Sequence, residues 1–532
     1  MKKNIFVILA SFIFFNYLSA QEKELPKTNE TRPLELPTIF IEGKEHLNVQ
    51  SGTKQFLDKS KPLTKDDLDS INSLEKQISL LIPFKPLQES MTSLTFKKGY
   101  LSGQYGIYNT PNFLGGYKFE INDYKLSFDG GVDFSGGHIK NADYTKIFAK
   151  LGSEYVAPEK FLFFGGSLTT FDIDFGYKNY KLYAQEPAPV RNTTKFGLSI
   201  LSDGRYDIFD FRTGAEFLTL SLSQDNSSIS DNSLYGFLNI DGKFEDFNVG
   251  AGASIDFKNL RGSPYTFFEL FGKFKYNING IILRGKGGIQ MTQSSSGTDR
   301  QGIIIDGNIS YILNDFFTIS AGISTGLEHN SFTRAIAINP YITDSSIIDF
   351  ANPVSLNAGL NYHPNERIFI QADIGYSVID RTPYFLNADT GTFNLHYDKS
   401  TSLKIQIEGI YNISSHDIIT LNILLQNNEL SSAKKIPYAE PFRLSGNYRK
   451  RWIEKLGTTF EVFYVGDRFV DKENTKKIGA FIDFNLGADY SFSKDLDVFL
   501  RIENLFNSDI SYWNGYKERN VFVTAGIYWK FN

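Results

Sequence analysis

Much of the chain alternates between hydrophobic and polar residues with a period of two. Between residues 482 and 490, one face carries Ile482, Phe484, Leu486, Ala488 and Tyr490, and the other carries Asp483, Asn485 and Asp489. The segments 367–376, 402–411 and 496–503 follow the same pattern. Because successive side chains of a strand point to opposite faces, the pattern predicts strands with one apolar face and one charged face.

The length of these segments favours a membrane barrel over a soluble sandwich. They run for about 10 to 14 residues, whereas soluble strands average about 5 to 6. Their polar faces carry charges in mid-strand, which a water-filled lumen accommodates. A sheet that crosses a bilayer must close on itself, because lipid cannot hydrogen-bond a free strand edge. We therefore predict an all-β fold, a transmembrane antiparallel β-barrel.

The connections between the segments alternate in length. Short turns, for example at 122–124, 202–205 and 244–246, alternate with longer polar stretches at 226–232, 329–348, 380–401, 428–440 and 504–520. Barrels of this kind have short turns at the periplasmic end and long loops outside. With an opening strand near 100–109 and a closing strand at 521–531, the pattern predicts about 22 strands, within a range of 18 to 22.

The first 20 residues have the pattern of a secretory signal peptide. Lys2 and Lys3 precede an apolar run at 5–15, and Ala20 provides a small residue at a cleavage site. Export agrees with a predicted location in the cell outer membrane. The predicted organisation is a signal peptide at 1–20, a periplasmic or lumenal extension at 21–95 and the barrel at 96–532.

The extension is predicted to contain a short strand at 36–41 and one helix near 65–81. Thr64 and Asp67 form a capping-box-like start, and Pro83 ends the helix. The helix has a single apolar stripe of Leu68, Ile71, Leu74, Ile78 and Leu81. This stripe is a candidate docking face, either for the rest of this chain or for a partner protein.

Composition narrows the class of protein. The chain has 532 residues with 15% aromatic residues, no Cys and a mean hydropathy of −0.25. These values exclude a helical membrane protein, disulfide or thiol chemistry and a disordered chain. They agree with a lipid-facing wall that has aromatic girdles at the membrane interfaces.

Charge and motifs point away from catalysis and from nucleic acid. The formal net charge is −5, which is unfavourable for nucleic-acid binding. The six His residues lie at no metal-ligand spacing: His46, His138, His329, His363, His396 and His416. The chain contains no nucleophile-elbow, phosphate-loop or zinc-protease motif. We predict that it is not an enzyme, with no catalytic, cofactor-binding or metal-binding residues.

The end of the chain carries the most specific signal. Val521, Val523, Ile527, Trp529 and Phe531 share one face, which resembles the C-terminal strand by which outer-membrane barrels are recognised for assembly. The family-like segment Asn504, Leu505, Phe506 and Asn507 resembles a segment near the end of TonB-dependent receptors. The chain thus resembles the barrel of that family, with a Bacteroidota-like composition.

The resemblance implies a transport channel or receptor, porin-like or TonB-dependent-receptor-like. Residues 21–95 amount to about half of that family's plug domain, so we expect the plug to be reduced or missing. The implied partners are outer-membrane lipid, the barrel-assembly machinery, and other outer-membrane or periplasmic proteins. The alternative is a non-transporting accessory or scaffold subunit of an outer-membrane assembly or export complex.

Overall fold

The computed structural model describes residues 97–158, 165–225, 227–244, 247–294, 299–388 and 391–532. The predicted signal peptide, the strand at 36–41 and the helix near 65–81 with its apolar stripe lie outside the described residues. Within them the protein is all-β apart from one short helix. The predicted fold class is therefore confirmed.

The elements follow one another as a long series of strands. The first thirteen are β1 (Gly99–Gly106), β2 (Thr110–Ile121), β3 (Tyr124–Ser135), β4 (Tyr144–Val156), β5 (Leu168–Lys181), β6 (Val190–Tyr206), β7 (Phe209–Gln224), β8 (Ser227–Lys243), β9 (Phe247–Leu260), β10 (Ser263–Ile278), β11 (Ile281–Ser294), β12 (Arg300–Asn314) and β13 (Phe317–Thr325). The remainder are β14 (Glu328–His329), α1 (Phe332–Ile338), β15 (Phe350–Asn365), β16 (Ile368–Asn387), β17 (Phe393–Ser414), β18 (Asp417–Leu430), β19 (Phe442–Ile453), β20 (Leu456–Val465), β21 (Arg468–Phe469), β22 (Lys477–Ile478), β23 (Phe481–Ser491), β24 (Leu496–Glu503), β25 (Ser511–Trp513), β26 (Tyr516–Lys517) and β27 (Phe522–Phe531).

Twenty-two of these strands form one closed antiparallel barrel. Each pairs with its neighbours in chain order, and the short strands between β13 and β15, β20 and β23, and β24 and β27 are bypassed. The last strand, β27, closes the barrel on β1, from Phe531 opposite Gly99 to Thr524 opposite Gly106. The predicted count of 22 strands is confirmed.

The two faces of the strands are those the alternation predicts. In β23, Ile482 and Tyr490 are 40% and 43% exposed on the outer wall, while Asp483 and Asn485 face inward and are buried. In β16, Ile374 is 47% exposed on the outside. Hydrophobic side chains that remain exposed all around a closed barrel form the surface that lipid covers.

The two ends of the barrel differ. At one end, which we name the turn end, adjacent strands are joined by short turns such as 122–123, 279–280 and 415–416. At the other end, which we name the loop end, several connections are long, including 326–349, 431–441, 466–480 and 504–521. This alternation agrees with the predicted one.

Three predicted boundaries are wrong. The predicted turn at 202–205 lies inside β6, and the turn follows at 207–208, where Asp207 has a φ of 55°. Asp203 faces the lumen 3.4 Å from the Arg212 Nε, so the polar residues that suggested a turn line the interior instead.

The predicted loops at 226–232 and 380–401 are also mostly strand. β8 begins at Ser227, β16 runs to Asn387, and β17 begins at Phe393. Both stretches are polar because these strands continue past the apolar band of the outer wall, where polar side chains meet water. The hydrogen-bond ladder nevertheless continues, so polarity alone does not mark a loop.

No helix within the described ranges has the length and hydropathy needed to cross a membrane. The helix α1 has seven residues and lies in the connection between β13 and β15. Its N-cap is Ser331, whose side chain accepts a hydrogen bond from the Arg334 backbone N–H. Its buried residues are Phe332, Ala335 and Ile336.

Candidate functional site

The side of β7 that carries its hydrophobic residues changes along the strand. Phe217 faces outward and is 37% exposed, as a lipid-facing side chain is. Towards the loop end, Leu220 and Leu222 lie on the inward face and are buried, while Thr219 and Ser221 take the outward face. This end of β7 therefore extends beyond the lipid-facing apolar band. Its outer surface is polar, and its inner face packs against a hydrophobic structure inside the barrel.

That hydrophobic structure is formed by the connections of the loop end, which we name the cap. The cap comprises residues 182–189, 326–349, 384–388, 391–397, 431–441, 466–480 and 504–521. One cluster of buried residues joins the cap to the wall: Leu220, Leu222, Phe332, Ala335, Ile336, Ile342, Phe385, Phe393, Leu395, Tyr438, Phe463, Val465, Val470, Phe481, Ile510, Tyr512, Trp513 and Tyr516. Burial of this apolar surface is the main source of cohesion of the cap.

The cluster crosses the lumen. Leu222 of β7 and Val465 of β20 both belong to it. These two strands lie on nearly opposite sides of the barrel, because about half of the strands separate them in either direction. A continuous cluster between them spans the loop end from wall to wall.

Aromatic rings form the centre of the cap. The rings of Tyr341 and Tyr516 stack with centroids 3.4 Å apart and planes 12° apart. The ring of Trp513 lies 5.2 Å from that of Phe385, 5.1 Å from that of Phe393 and 4.9 Å from that of Tyr438. Trp513, in the connection 504–521, therefore packs against the β16–β17 hairpin and against the connection 431–441. The three ring pairs of Trp513 have the geometry in which aromatic rings attract.

Arg191 of β6 fastens the cap to the wall. Its side chain is 1% exposed, and its Nη1 donates to the backbone oxygens of Pro340 and Ile342, each at 2.8 Å. Its Nε donates to Gln224 Oε1 at 3.1 Å. The hydroxyl of Tyr180 donates to the same Pro340 oxygen at 2.6 Å. Two wall side chains thus satisfy the backbone of a connection that crosses the lumen.

A second fastening centres on His329 of β14. The Lys258 Nζ lies 2.8 Å from His329 Nδ1, and the Tyr265 hydroxyl lies 2.6 Å from His329 Nε2. Because an ammonium group only donates, Nδ1 accepts, and Nε2–H donates to the tyrosine oxygen. Burial, and then the charges of Lys258 and Arg334, hold the pKa of His329 well below its usual range. The imidazole is therefore neutral when the cap is docked.

Below the cap the lumen is lined with charged side chains. The Lys286 Nζ lies 2.6 Å from Glu269 Oε1, and the Lys273 Nζ lies 2.8 Å from Asp241 Oδ2. On the other side of the barrel, the Arg501 Nη2 lies 2.6 Å from Asp489 Oδ1. These pairs make the inner wall of the barrel hydrophilic.

The predicted C-terminal signal lies on the closing strand. Ile527 and Trp529 are 50% and 46% exposed on the outer wall, and Val523 has the same orientation. The Phe531 ring lies 5.0 Å from that of Trp529. Val521 precedes β27 by one residue. The geometry brings these residues together at the barrel seam, and their role in assembly stays a prediction.

The family-like segment forms the turn after β24. Asn504 is 3% exposed with a φ of 49°. Its backbone N–H donates to Asp483 Oδ1 at 3.1 Å, and its Nδ2 donates to the Ser508 oxygen at 2.9 Å and to the Arg519 oxygen at 3.2 Å. Phe506 is 65% exposed. Asn504 therefore organises the turn from inside, and the segment has a structural role at the base of the cap.

Sequence reasoning missed the cap. It assigned 504–520 as a polar stretch, although Tyr512, Trp513 and Tyr516 within it are buried. The aromatic content of that segment is the signal that pointed to burial. Arg191 and His329 had no comparable signal, since their partners are distant in sequence.

In the described part of the chain, no group of three or more His, Asp or Glu residues is arranged to hold a metal ion. No protein-family model matches the sequence, and no curated protein matches it significantly. The solved structures provide the comparison.

Three solved structures that are similar to this chain are those of transport proteins. The FrpB iron transporter from Neisseria meningitidis is 9% identical with a TM-score of 0.68, and the match covers 82% of each chain. The copper transporter OprC is 12% identical with a TM-score of 0.65, covering 81% of this chain and 80% of that one. The ferric yersiniabactin uptake receptor FyuA from Yersinia pestis is 11% identical with a TM-score of 0.63, covering 82% of this chain and 80% of that one.

At these identities the likeness concerns the fold. Together with the closed barrel and its apolar outer wall, it confirms the predicted resemblance at the level of architecture. The chain is an outer-membrane β-barrel with the 22-stranded fold of TonB-dependent receptors.

Proposed function

We propose that the chain is a transport barrel of receptor type, in which the cap controls passage of polar solutes through the lumen. The observation that carries this proposal is the hydrophobic cluster that runs from Leu222 to Val465 across a charged lumen. The wall below the cap is suited to hydrated solutes, and the cap separates that compartment from the loop end. Passage then requires the cap to undock.

The similar structures support transport as the class of activity. They are those of an iron transporter, a copper transporter and a ferric yersiniabactin uptake receptor. The proposal takes from them the class of activity, with no enzymatic reaction, and leaves their cargo aside. It further assigns residues 21–95 the place of a reduced plug.

Conductance in planar bilayers tests the proposal. We expect the wild-type chain to conduct rarely, and a Tyr341→Ala/Tyr516→Ala variant to conduct often, because that variant removes the central stack of the cap. A second variant that lacks residues 21–95 tests the reduced plug. If neither variant conducts more than the wild type, the transport proposal is wrong.

The second candidate is an accessory or scaffold subunit of an outer-membrane assembly or export complex. The observation that favours it is the same cap, because a barrel whose loops are packed wall to wall also serves as a rigid platform. Purification from the native membrane in mild detergent separates the two functions. A scaffold co-elutes with stoichiometric partners, whereas elution of the chain alone contradicts this candidate.

A further inference from the structure

Three lysines lie close together on the inner wall below the cap. Lys146 is on β4, Lys178 on β5 and Lys195 on β6. Their orientation follows from the exposed residues of the same strands, since Leu151, Phe175 and Ile200 mark the lipid-facing positions. Each lysine is an odd number of residues from the lipid-facing residue of its strand, so all three lysines face the lumen.

The register places these lysines side by side. Lys146 lies directly opposite Lys178 in the β4–β5 ladder. Lys195 lies opposite Gly176, which is two residues from Lys178 on the same face of β5. Adjacent strands are about 4.8 Å apart and two residues of a strand span about 7 Å, so Lys178 starts within about 9 Å of each of the other two lysines, and Lys146 and Lys195 start about 12 Å apart.

A directly opposed pair of like charges is destabilising in a sheet. Elsewhere in the lumen such pairs are compensated. Lys273 lies opposite Lys286, but their ammonium groups lie 2.8 Å and 2.6 Å from the carboxylates of Asp241 and Glu269. That arrangement retains two like charges without leaving either one unpaired.

An opposed acidic pair is compensated in the same way. Asp210 lies opposite Asp241, and the Lys243 Nζ lies 2.5 Å from Asp210 Oδ2. The Lys273 Nζ supplies the counter-charge for Asp241. Compensation is thus usual where like charges face each other in this lumen.

Lys146 lies opposite Asp133 in the β3–β4 ladder, and the Lys178 ammonium group lies 4.7 Å from the centroid of the Tyr180 ring. Neither ammonium group forms an ion pair within the described ranges. No described carboxylate lies within 4.0 Å of the ammonium groups of Lys146, Lys178 or Lys195. The charges that act on Lys178 from other elements are those of Lys146, Glu518 and Asp133. The carboxylate of Asp133 accepts a hydrogen bond from the Tyr144 hydroxyl at 3.2 Å.

The next acidic groups on these strands are already engaged. Asp172 lies 3.5 Å from the Lys150 ammonium group, and Asp174 lies opposite Lys150 in the ladder. Asp172 and Asp174 therefore lie farther from the loop end of β5 than Lys178 does. The three-lysine cluster is a cationic patch in which Lys146 and Lys195 are exposed to the lumen and Lys178 is half-buried.

The wall leaves room beside the patch. Gly176 provides no side chain, and the nearest atom to a Cβ placed there is the Lys195 Cβ, at 3.9 Å. Phe148 lies opposite Gly176, and its ring lies against Gly131 of β3. A ligand can thus approach Lys146 and Lys195 from the lumen, and the half-buried Lys178 lies on the strand between theirs.

We infer that Lys146, Lys178 and Lys195 form a lumenal binding site for a small anion that carries at least two phosphate or carboxylate groups. The inference rests on the proposed transport function, because it places the site on the solute path below the cap. Two or more anionic groups match the separation of the lysines, and the single opposed carboxylate of Asp133 leaves an excess of positive charge on the three ammonium groups. Charge-assisted hydrogen bonds to ammonium groups are the interaction expected there.

Calorimetric titration of the full-length chain in detergent with inorganic pyrophosphate tests the site. We expect saturable binding that weakens with added salt. The Lys146→Gln/Lys178→Gln variant is expected to bind at least about tenfold more weakly, because two charged contacts are removed. The matched control is Lys273→Gln/Lys286→Gln, which removes the same charge from another opposed pair and is expected to retain wild-type affinity.

A substitution without change of charge provides a second readout. Gly176→Leu fills the space beside Lys195 and is expected to weaken pyrophosphate binding while circular dichroism shows an intact barrel. If the double lysine variant fails to fold, Lys195→Gln and Gly176→Leu decide the question. Titration with citrate distinguishes a site for any multivalent anion from one restricted to phosphates.

The inference is overturned if the wild type does not bind either anion, or if the two double variants lose affinity equally. These outcomes are separable from failure of the transport proposal. If the protein binds the anion but no variant conducts, the anion site is retained and the transport proposal is rejected. Conductance through the opened barrel without anion binding retains the transport proposal and rejects the site.

Discussion

Tyr341 and Tyr516 stack with ring centroids 3.4 Å apart and planes 12° apart. They come from two different connections of the loop end, between β13 and β15 and between β24 and β27. The pair joins segments that no backbone ladder unites, so side-chain packing holds the cap together.

Replacement of Tyr516 by Ala should loosen the cap without disrupting the barrel. Truncation of a large buried aromatic residue costs about 3–5 kcal/mol, and here that cost falls on the docked cap. We expect faster proteolytic cleavage within 504–521 in the folded protein. Tyr105→Ala is the control, since Tyr105 is 60% exposed on the outer wall. Equal cleavage rates in both variants would contradict a central role for the stack.

Arg191→Ala should release the connection that contains Pro340 and Ile342. The Ile342 oxygen would lose its donor, at about 1–3 kcal/mol for an unsatisfied buried group, and the Pro340 oxygen would retain only the Tyr180 hydroxyl. Hydrogen exchange of the backbone amides at 339–343 measures this release. Arg191→Lys, which keeps the charge but loses the planar fork of donors, should give an intermediate rate. Unchanged exchange in the Ala variant would show that Arg191 does not hold the cap.

Docking of the cap should weaken in acid through His329. Its pKa lies well below the usual range in the docked state because of burial and of Lys258, whereas an undocked loop titrates near 6.5. The undocked state then binds more protons as the pH falls through 6.5, so docking is stable above that pH. It is lost progressively below it, at up to about 1.4 kcal/mol per pH unit.

Proteolysis of the cap between pH 8 and pH 5 measures this dependence. His329→Gln should remove most of the acid sensitivity, because the amide does not titrate. His416→Gln is the control, since His416 lies in an exposed turn between β17 and β18. A His329→Gln variant with the acid response of the wild type would rule out this residue as its origin.

Asn504→Ala should destabilise the base of the cap more than Asn507→Ala. Both residues have positive φ, 49° and 55°, so the backbone strain of an alanine is matched. Only Asn504 is buried and donates to two backbone oxygens through its side chain, which adds about 1–3 kcal/mol per lost partner. Urea unfolding measures the difference, and equal midpoints would exclude a special role for the Asn504 amide.

Trp529→Ala with Phe531→Ala should reduce insertion into the outer membrane. The sequence pattern of Val521, Val523, Ile527, Trp529 and Phe531 predicts an assembly signal, and the strand that carries it closes the barrel on β1. The amount of folded protein in outer-membrane fractions measures insertion. Trp452→Ala with Tyr490→Ala removes two exposed aromatic residues elsewhere, 55% and 43% exposed, and should have a smaller effect. A larger defect in that control would contradict the assembly signal.

The architecture of the barrel was accessible from the sequence because alternation is a local property. Ile482 and Asp483 are neighbours, and their opposite orientations in a strand follow from backbone geometry alone. The number of strands followed in the same way, from short turns that recur at regular spacing. The errors at 202–205 and 226–232 arose where polar residues lined the lumen or lay beyond the membrane rather than forming a turn.

The candidate site was not accessible in this way, because its residues meet only after the barrel closes. Arg191 and Pro340 are 149 positions apart, and the side chains of Lys258 and His329 are 71 apart. The sequence does show the hydrophobic positions of β7 shifting from Phe217 to Leu220 and Leu222, but it does not show what covers the new hydrophobic face. The sequence by itself determined a closed membrane barrel with a polar lumen, because the period of a strand is set locally. Only the tertiary structure decided that the loops pack inward as a cap, because that packing depends on side chains brought together across the lumen from distant parts of the chain.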